Sequence, residues 1–429
     1  MQAVIICGGK GSRLKSTIGT TPKALVKFNN KANLKRQIEI LKKNGVKSFV
    51  ILVNNYEHEI SNFLKENFKD KFIIHKDKDY YGTGGCLYSA KKYLKKRFLI
   101  LYSDIYFNFN FKNFVRHCIK KKSIISCVVH ANDHPYDSDT VNLDKDFYIK
   151  KIIKKNSNQN KINNAISGIY FADKKFLKKI KFKKNKSYDL VNDIFFSLIK
   201  KNCRIYAYKS IEYIKDFGTP DRIVRVISDI KKNKIKNLNY QYKTKAVFLD
   251  RDGVINKENK NIKTLENFII FPSALLAIKK LNKNKIPCFI VTNQSGLAKG
   301  KFTLSDFFKV TFKLDKRLAK LGAYIDDFLV CPHFTNRSYK NLNESFFSKY
   351  RKPNSGMINT FIKKYGVHRK KSYMVGDSDR DILAGKNAGL KTILVHSPKI
   401  NDYRINVKPD FRTKNLKVAV DIILKDKHI

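Results

Sequence analysis

Apolar runs of strand length alternate with segments of helical period along the whole chain. QAVIIC (2–7), SFVILV (48–53), KFIIH (71–75) and RFLILY (97–102) read as strands, and NLKRQIEILKKNG (33–45) reads as a helix stopped at Gly45. Such alternation predicts α/β units on mainly parallel sheets. The amphipathic stretch DRIVRVISDIKKNKI (221–235) closes the series. NLNYQYKTK (237–245) has too little period for either element and predicts a linker. The pattern then restarts. KAVFLD (245–250), PCFIVTN (287–293), YIDDFLVC (324–331) and SYMVGD (372–377) are the new strands. SALLAIKKLNK (273–283), TLSDFFKVTFKLDKRLAKLG (303–322), SGMINTFIKKYG (355–366) and DRDILAGKNAGL (379–390) are the new helices. Two α/β domains are expected, 1–235 and 245–429, joined by 236–244. Open parallel sheets hold ligands at the carboxyl ends of strands. The residues that end each first strand are therefore where chemistry is expected.

The chain has 429 residues, 42% of them apolar, enough for two or three packed domains. No stretch approaches the length of a membrane span. QAVIICGG lacks the basic flank of a signal peptide and breaks at once into glycine, so the expectation is a cytoplasmic protein with no membrane partner. Seven scattered cysteines form no disulfide framework. The net charge of +53 admits two readings. One is a nucleic-acid binder held by phosphate contacts. The other is the codon bias of an AT-rich genome, since the excess is mostly lysine, spread along the chain with abundant Asn, Ile, Phe and Tyr. No arginine-rich tail, zinc finger or RNA-recognition signature accompanies it, and runs such as FLKKIKFKKNKS read as solvated surface. No specific nucleic-acid partner is expected. Either way the charge favours anionic substrates.

The first strand ends in GGKGSR, Gly8 to Arg13. Glycines let a backbone wrap phosphates and offer its amides, and Arg13 adds a charged fork. The same residues alone are equally a tight turn, and they fit neither a Walker loop nor a dinucleotide fingerprint. Thr21-Pro22-Lys23, Gly82-Thr83-Gly84-Gly85, Ser103-Asp104 and Asp216-Phe217-Gly218-Thr219-Pro220 follow in order. In that series residues 1–230 resemble the sugar nucleotidyltransferases, and within them the heptose-1-phosphate guanylyltransferases. The resemblance implies a nucleotide-diphospho-sugar transferase fold and attack of a sugar phosphate on the α-phosphorus of a nucleoside triphosphate. It implies that Gly8, Gly9, Gly11, Ser12 and Arg13 hold the triphosphate and that Lys23 steadies its charge. Gly82, Thr83 and Gly84 would let the base approach the backbone, and Asp104 and Asp216 would hold Mg²⁺. The plainer readings are a helix cap for Asp104 and a turn residue for Asp216. Gly168, in SGIYF (167–171), is expected to leave room for the sugar. Where the family often has a Glu-Lys pair, this sequence has Lys154 and Lys155.

FLDRDGVIN, TNQSG, RKP and VGDSDRD occur in that order between 245 and 400. A pair of aspartates alone could be a capped turn, but together the four motifs resemble those of the haloacid-dehalogenase phosphatases. The resemblance implies a second Rossmann-like domain and an aspartyl-phosphate mechanism. Asp250 would be the nucleophile and Asp252 the general acid and then base. Thr292 and Asn293 would meet the phosphoryl group, Lys352 would offset its charge, and Arg351 would reach a second phosphate. Asp250, Asp377 and the carbonyl of Asp252 would bind Mg²⁺. Asp381 is a further candidate, with a structural alternative. TNQSG with RKPNSGM looks like the D,D-heptose 1,7-bisphosphate and histidinol phosphatases. That subfamily often carries a zinc loop. Here Cys331 and His333 remain, while Ser348 and Tyr350 occupy the other two places, so no structural zinc is expected and the loop between is expected to be mobile.

The two resemblances fit one pathway. A phosphatase that removes the 7-phosphate leaves the sugar 1-phosphate that a nucleotidyltransferase needs. The expectation is a bifunctional enzyme that makes an activated heptose, GDP-D-glycero-D-manno-heptose, for a surface polysaccharide. Its partners would be a sugar bisphosphate, a sugar 1-phosphate and a nucleoside triphosphate. Another sugar or nucleotide, a histidinol-phosphatase-like second half, and a nucleic-acid binder on degenerate enzyme folds stay open at this point.

Overall fold

The run QAVII folds as the strand Gln2–Ile6 and lies at the centre of a sheet, because its neighbours are the two other most apolar runs. It pairs in parallel with Ser48–Val53 on one side and Arg97–Tyr102 on the other. Ile73–Lys76 extends the parallel part beyond Ser48–Val53. Beyond Arg97–Tyr102 the sheet turns antiparallel, through Ala165–Asp173, which also pairs with Ile125–His130 and Thr140–Leu143. This half departs from the expected mainly parallel sheet. Thr140–Leu143 and Ile149–Ile153 are joined by residues 144–148 alone, too short for a crossover, so the two can only run antiparallel. Helix Asn33–Lys43 covers one face with Leu34, Ile38 and Leu41, and Gly45, at φ +88°, ends it as expected.

The second sheet is wholly parallel. Its order is Asp327–Cys331, Cys288–Asn293, Val247–Leu249, Tyr373–Gly376, Lys391–Val395, Phe411–Thr413. The first strand therefore has the second on one side and the fourth on the other, the switch point at which doubly wound sheets open a crevice. The first sheet repeats the arrangement around Gln2–Ile6. Helix Leu304–Lys320 starts at a capping box in which Thr303 and Asp306 satisfy each other's backbone amides.

The computed structural model describes every residue except 10–11, 78, 156, 158–162, 239–242, 258–267, 334–347, 396–406 and 427–429. The polypeptide forms two compact units: Met1–His130, Asp137–Ser157 and Asn164–Ile235, and Ala131–Tyr136, Asn158–Asn163 and Lys236–Ile429. The two short pieces go together, since Asn132 and Asn163 exchange hydrogen bonds of 3.1 and 2.7 Å. The expected linker is described at both of its ends. Lys234–Leu238 is a 3₁₀ turn, and the Thr244 amide donates to the Gly366 carbonyl at 3.0 Å. Among the described residues no helix is long and apolar enough to cross a membrane.

Phe289, on the strand Cys288–Asn293, is fully buried, with its ring 4.7 Å from Phe361 and 5.2 Å from Tyr365, both stacked. Phe289→Ala is expected to destabilise the second unit by about 3–5 kcal/mol. Urea unfolding followed through that unit's activity checks it, with a midpoint equal to wild type as the contrary result.

Candidate active sites

In the second unit the chemistry gathers where the strands Val247–Leu249 and Tyr373–Gly376 end. Asp250 follows the first and Asp377 the second. Lys352 reaches in from the turn after residue 348. Its Nζ lies 2.8 Å from Asp250 Oδ1 and 2.6 Å from Asp381 Oδ1. Lys352 is 2% exposed and Asp381 1%. Burial alone would strip the proton from Lys352, but the two carboxylates hold it charged, above the usual lysine range. Asp250 is pushed the other way. Burial raises its carboxyl, Lys352 opposes this, and Asp381 and Asp252 raise it further.

Carboxylate oxygens of Asp250, Asp377 and Asp381 lie within 4.8 Å of one another, the one such cluster among the described residues. Hard oxygen donors converging on one point suit Mg²⁺. Asp381 thus belongs to the site, and its carboxylate closes the cluster that Asp250 and Asp377 begin. Asp252 contributes no side-chain oxygen to this cluster. Two glycines make the packing possible. A Cβ on Gly253, at φ +79°, would fall 1.7 Å from Asp377 Oδ2, and one on Gly376 would fall 2.1 Å from the Asp381 Cβ.

Asp252 is clamped differently. Arg251 donates from Nε and Nη2 to Oδ1 at 3.1 Å and from Nη2 to Oδ2 at 3.0 Å. Asn256 donates at 2.9 Å and Gln294 at 2.7 Å. Burial would raise this carboxyl, but Arg251 and these hydrogen bonds keep it below the usual carboxylate range. Two aspartates only two residues apart are therefore driven in opposite directions by their surroundings. Thr292 is buried and accepts from Gln294 at 2.9 Å, an arrangement that leaves its hydroxyl able to donate. Asn293 is placed otherwise than expected. Its Nδ2 donates to the Lys352 carbonyl at 3.0 Å and its Oδ1 accepts from the Lys352 amide at 3.1 Å. Both ends of the amide hold the backbone of Lys352. Arg251, Gln294 and Asn256 are absent from the sequence-based site. Only their neighbourhood to the aspartates and to Thr292 hinted at them.

Arg351 donates to the His333 carbonyl at 2.8 Å and is held below the usual arginine range by burial and by Arg380. Cys331 and His333 are both buried, and burial raises the Cys331 thiol. The loop that follows them, over 334–347, lies outside the described residues.

In the first unit Asp104 and Asp216 are brought together by a two-stranded ladder. Asp216 pairs with Ile105, the residue after Asp104. Lys23 Nζ lies 3.4 Å from Asp104 Oδ2. A Cβ placed on Gly218 would meet Asp216 Oδ1 at 3.8 Å, Asp104 Oδ2 at 3.9 Å and Arg13 Nη2 at 4.0 Å, so the three groups converge there. Burial raises Asp104, Lys23 opposes it and Asp216 adds to it. Two hard carboxylates beside two cations suit a metal–triphosphate. Asp216 also pairs with Arg222, which bridges to Asp137, a contact with no signal in the motif.

The glycines divide into two groups. A Cβ on Gly9 would meet nothing within 4 Å, and one on Gly8 would only touch Asn54, so this loop faces open space. Gly11 and the Ser12 side chain lie outside what is described. Gly82 and Gly84 are closely packed. Their Cβ atoms would strike the Tyr188 carbonyl at 2.6 Å and Ile194 at 2.3 Å, and the Gly84 amide donates to Tyr188 at 2.7 Å. Thr83 donates to Asp189 at 3.1 Å. These three residues let the segment beginning at Tyr188 pack closely. Gly168, at φ +76°, sits where the register of Ala165–Asp173 shifts, and the space beside it is filled by Ile105 and Tyr102. Lys154 and Lys155 are exposed.

The sequence profile of the nucleotidyl transferase family matches residues 2–233, and that of a HAD-hydrolase-like family matches residues 349–419. The D-glycero-beta-D-manno-heptose-1,7-bisphosphate 7-phosphatase of Pasteurella multocida is 35% identical over 156 residues, 36% of this chain and 83% of that protein. The D-glycero-alpha-D-manno-heptose-1,7-bisphosphate 7-phosphatase of Campylobacter jejuni is 35% identical over 189 residues, 44% of this chain and 99% of that protein. The crystal structure of HddC from Yersinia pseudotuberculosis is 23% identical with a TM-score of 0.46, over 53% of this chain and 99% of that one.

Lys352→Met leaves Asp250 and Asp381 buried without their cation, an expected loss of about 3–5 kcal/mol in the second unit. The Asp250 carboxyl is already raised by burial, and losing Lys352 raises it further. A carboxyl raised in the folded state favours folding while it is protonated and loses that contribution as pH rises through its folded pKa. The variant's deficit should therefore be smallest in acid and grow from the ordinary carboxylate range towards neutrality. Urea unfolding of metal-free protein across that range checks this; a deficit that does not vary with pH contradicts it.

Proposed function

This chain belongs to the nucleotidyl transferase family over its first half and carries a haloacid-dehalogenase-like phosphatase in its second, and on that premise we propose that this bifunctional enzyme performs two consecutive steps on one heptose. The second unit removes the 7-phosphate of D-glycero-D-manno-heptose 1,7-bisphosphate. The first joins the resulting heptose 1-phosphate to a nucleotide from GTP and releases pyrophosphate. The product is an activated heptose for a surface polysaccharide.

Support for the phosphatase step comes from one juxtaposition: Asp250 stands against Lys352 while Asp252 is held apart by Arg251. An Asp250 oxygen attacks phosphorus, and the bond from phosphorus to the sugar oxygen breaks. That oxygen takes a proton from Asp252. Asp252 rests ionised, but an incoming phosphate adds negative charge beside it and favours its protonated form. Water then attacks the aspartyl phosphate, returns a proton to Asp252 and frees inorganic phosphate. Lys352 offsets charge on the phosphoryl oxygens, and Thr292 donates to one of them. Mg²⁺ held by Asp250, Asp377 and the Asp252 carbonyl, with Asp381 beside them, would neutralise the phosphoryl group. Arg351 faces the second phosphate.

In the first unit an oxygen of the sugar phosphate attacks the α-phosphorus, and the bond to the β-phosphate breaks. Both reactants are anions, so the barrier is one of charge and alignment. The open loop at Gly8 and Gly9 receives the triphosphate. Arg13 and Lys23 meet its charge, and Asp104 and Asp216 would hold the Mg²⁺ that accompanies it. The relatives that match the second unit bear names with a heptose bisphosphate substrate, one as the beta and one as the alpha anomer.

The test supplies the purified protein with the bisphosphate, Mg²⁺ and each nucleoside triphosphate in turn, with products read by mass spectrometry. Wild type should yield GDP-heptose. Asp250→Asn should yield it only when heptose 1-phosphate is supplied. Phosphate release with no nucleotide sugar under any triphosphate contradicts the transfer step, and no turnover at all contradicts the heptose.

A further inference from the structure

Asp104 stands in the Ser103-Asp104 turn between the strands Arg97–Tyr102 and Ile105–Asn108. The carbonyls of residues 102 to 105 all accept hydrogen bonds. That of Asp104 accepts from the Phe217 amide at 3.0 Å. The other three are taken by two side chains of one helix. Asn33 Nδ2 donates to the Ser103 carbonyl at 2.8 Å and to that of Ile105 at 3.1 Å. Gln37 Nε2 donates to the Tyr102 carbonyl at 3.2 Å and to that of Ile105 at 2.7 Å. The two residues are four apart, so they share one face of Asn33–Lys43.

Both side chains are fully buried, and Asn33 Oδ1 and Gln37 Oε1 have no hydrogen-bond partner. Burying an amide is costly, and an orphaned oxygen adds to the cost. Leu34, Ile38 and Leu41 already pack this helix on the sheet, so packing does not require amides at 33 and 37. What an apolar residue could not supply is the donated hydrogens. All four of those bonds end on the turn that carries Asp104. Ile105, which receives two of them, is also the residue that pairs with Asp216. The same bonds therefore fix the direction of Asp104 and the register of Asp216 beside it.

We infer that Asn33 and Gln37 are positioning residues of nucleotidyl transfer: they hold the turn that aims Asp104, together with Asp216, at the metal–triphosphate. The inference rests on the metal-holding role proposed for Asp104. The amides touch neither nucleotide nor sugar, and they act only through the backbone of residues 102–105.

The test uses the full-length protein with Gln37→Leu, the pair Asn33→Leu and Gln37→Leu, and Gln37→Met, which keeps the length of the side chain but loses the donor. Two readouts are taken. One is the affinity for Mn²⁺ in the presence of GTP, followed by electron paramagnetic resonance in protein that also carries Asp377→Asn to silence the second unit. The other is kcat and KM for nucleotidyl transfer. Loss of an outer partner of a metal ligand typically costs about 10–100-fold in metal affinity or activity. Mn²⁺ affinity and kcat should both fall by that order in all three variants, with the KM for sugar 1-phosphate unchanged and phosphatase activity intact. Wild-type Mn²⁺ affinity and kcat in a variant with full phosphatase activity would overturn the inference. If the double variant does not fold, Gln37→Met decides by the same readouts. A wild type that makes no nucleotide sugar, in series with variants that lose Mn²⁺, sinks the proposed substrates and leaves the positioning role standing.

Discussion

A lysine ammonium buried between two aspartates organises the second unit. Lys352 is 2% exposed and within 2.8 Å of both Asp250 and Asp381. Three separate parts of the sequence supply these charges: the end of the first strand, the turn that follows residue 348, and the helix Asp379–Asn387. None of the three charges is tolerable alone in that environment. Their mutual neutralisation holds the crevice at the switch point of the sheet. It also leaves a net negative cluster, with Asp377, that a divalent cation would complete. Asn293 secures the lysine by its backbone, and Gly253 and Gly376 admit the aspartates. Asp252 stays outside the cluster because Arg251 engages it from the same short stretch. The two aspartates, two residues apart, thus differ in which cation each one meets.

The first unit uses the same topological position for different chemistry. Gly8 and Gly9 follow its first strand, as Asp250 follows that of the second unit. Asp104 follows the neighbouring strand, as Asp377 does. There Lys23 meets Asp104 directly and Arg13 converges on the same point, in a site less sealed than that around Lys352. An exposed, mixed-charge crevice suits a long triphosphate. A buried, tightly neutralised one suits a single phosphoryl group held in line with a nucleophile. The general excess of lysine raises the local concentration of either substrate without selecting between them.

Periodicity carried much of the architecture. Ser48–Val53, Arg97–Tyr102 and the helix Asn33–Lys43 stand where their apolar patterns put them. The antiparallel half of the first sheet was less legible, because short strands joined by tight turns have no helical segment to mark a crossover. Motif residues that act by their own charge, such as Asp250, Lys352 and Asp377, could be read directly and do come together. Those that act by shape could not. Gly82, Gly84 and Gly168 announce close approach, but not of what; here it is Tyr188, Ile194, Tyr102 and Ile105. Arg222, Arg251 and the amides of Asn33 and Gln37 were silent, since a polar residue on an amphipathic element looks like solvated surface until the fold buries it.

The two units, as proposed, act in order on one sugar, which requires the phosphatase to spare the phosphate that the transferase will use. The most direct test incubates the wild-type protein with Mg²⁺ and D-glycero-D-manno-heptose 1,7-bisphosphate, without any nucleotide, and follows the reaction by ³¹P NMR. Loss of the 7-phosphate signal, with the 1-phosphate retained, is the predicted result. Loss of the 1-phosphate would leave the first unit no substrate and would contradict the account.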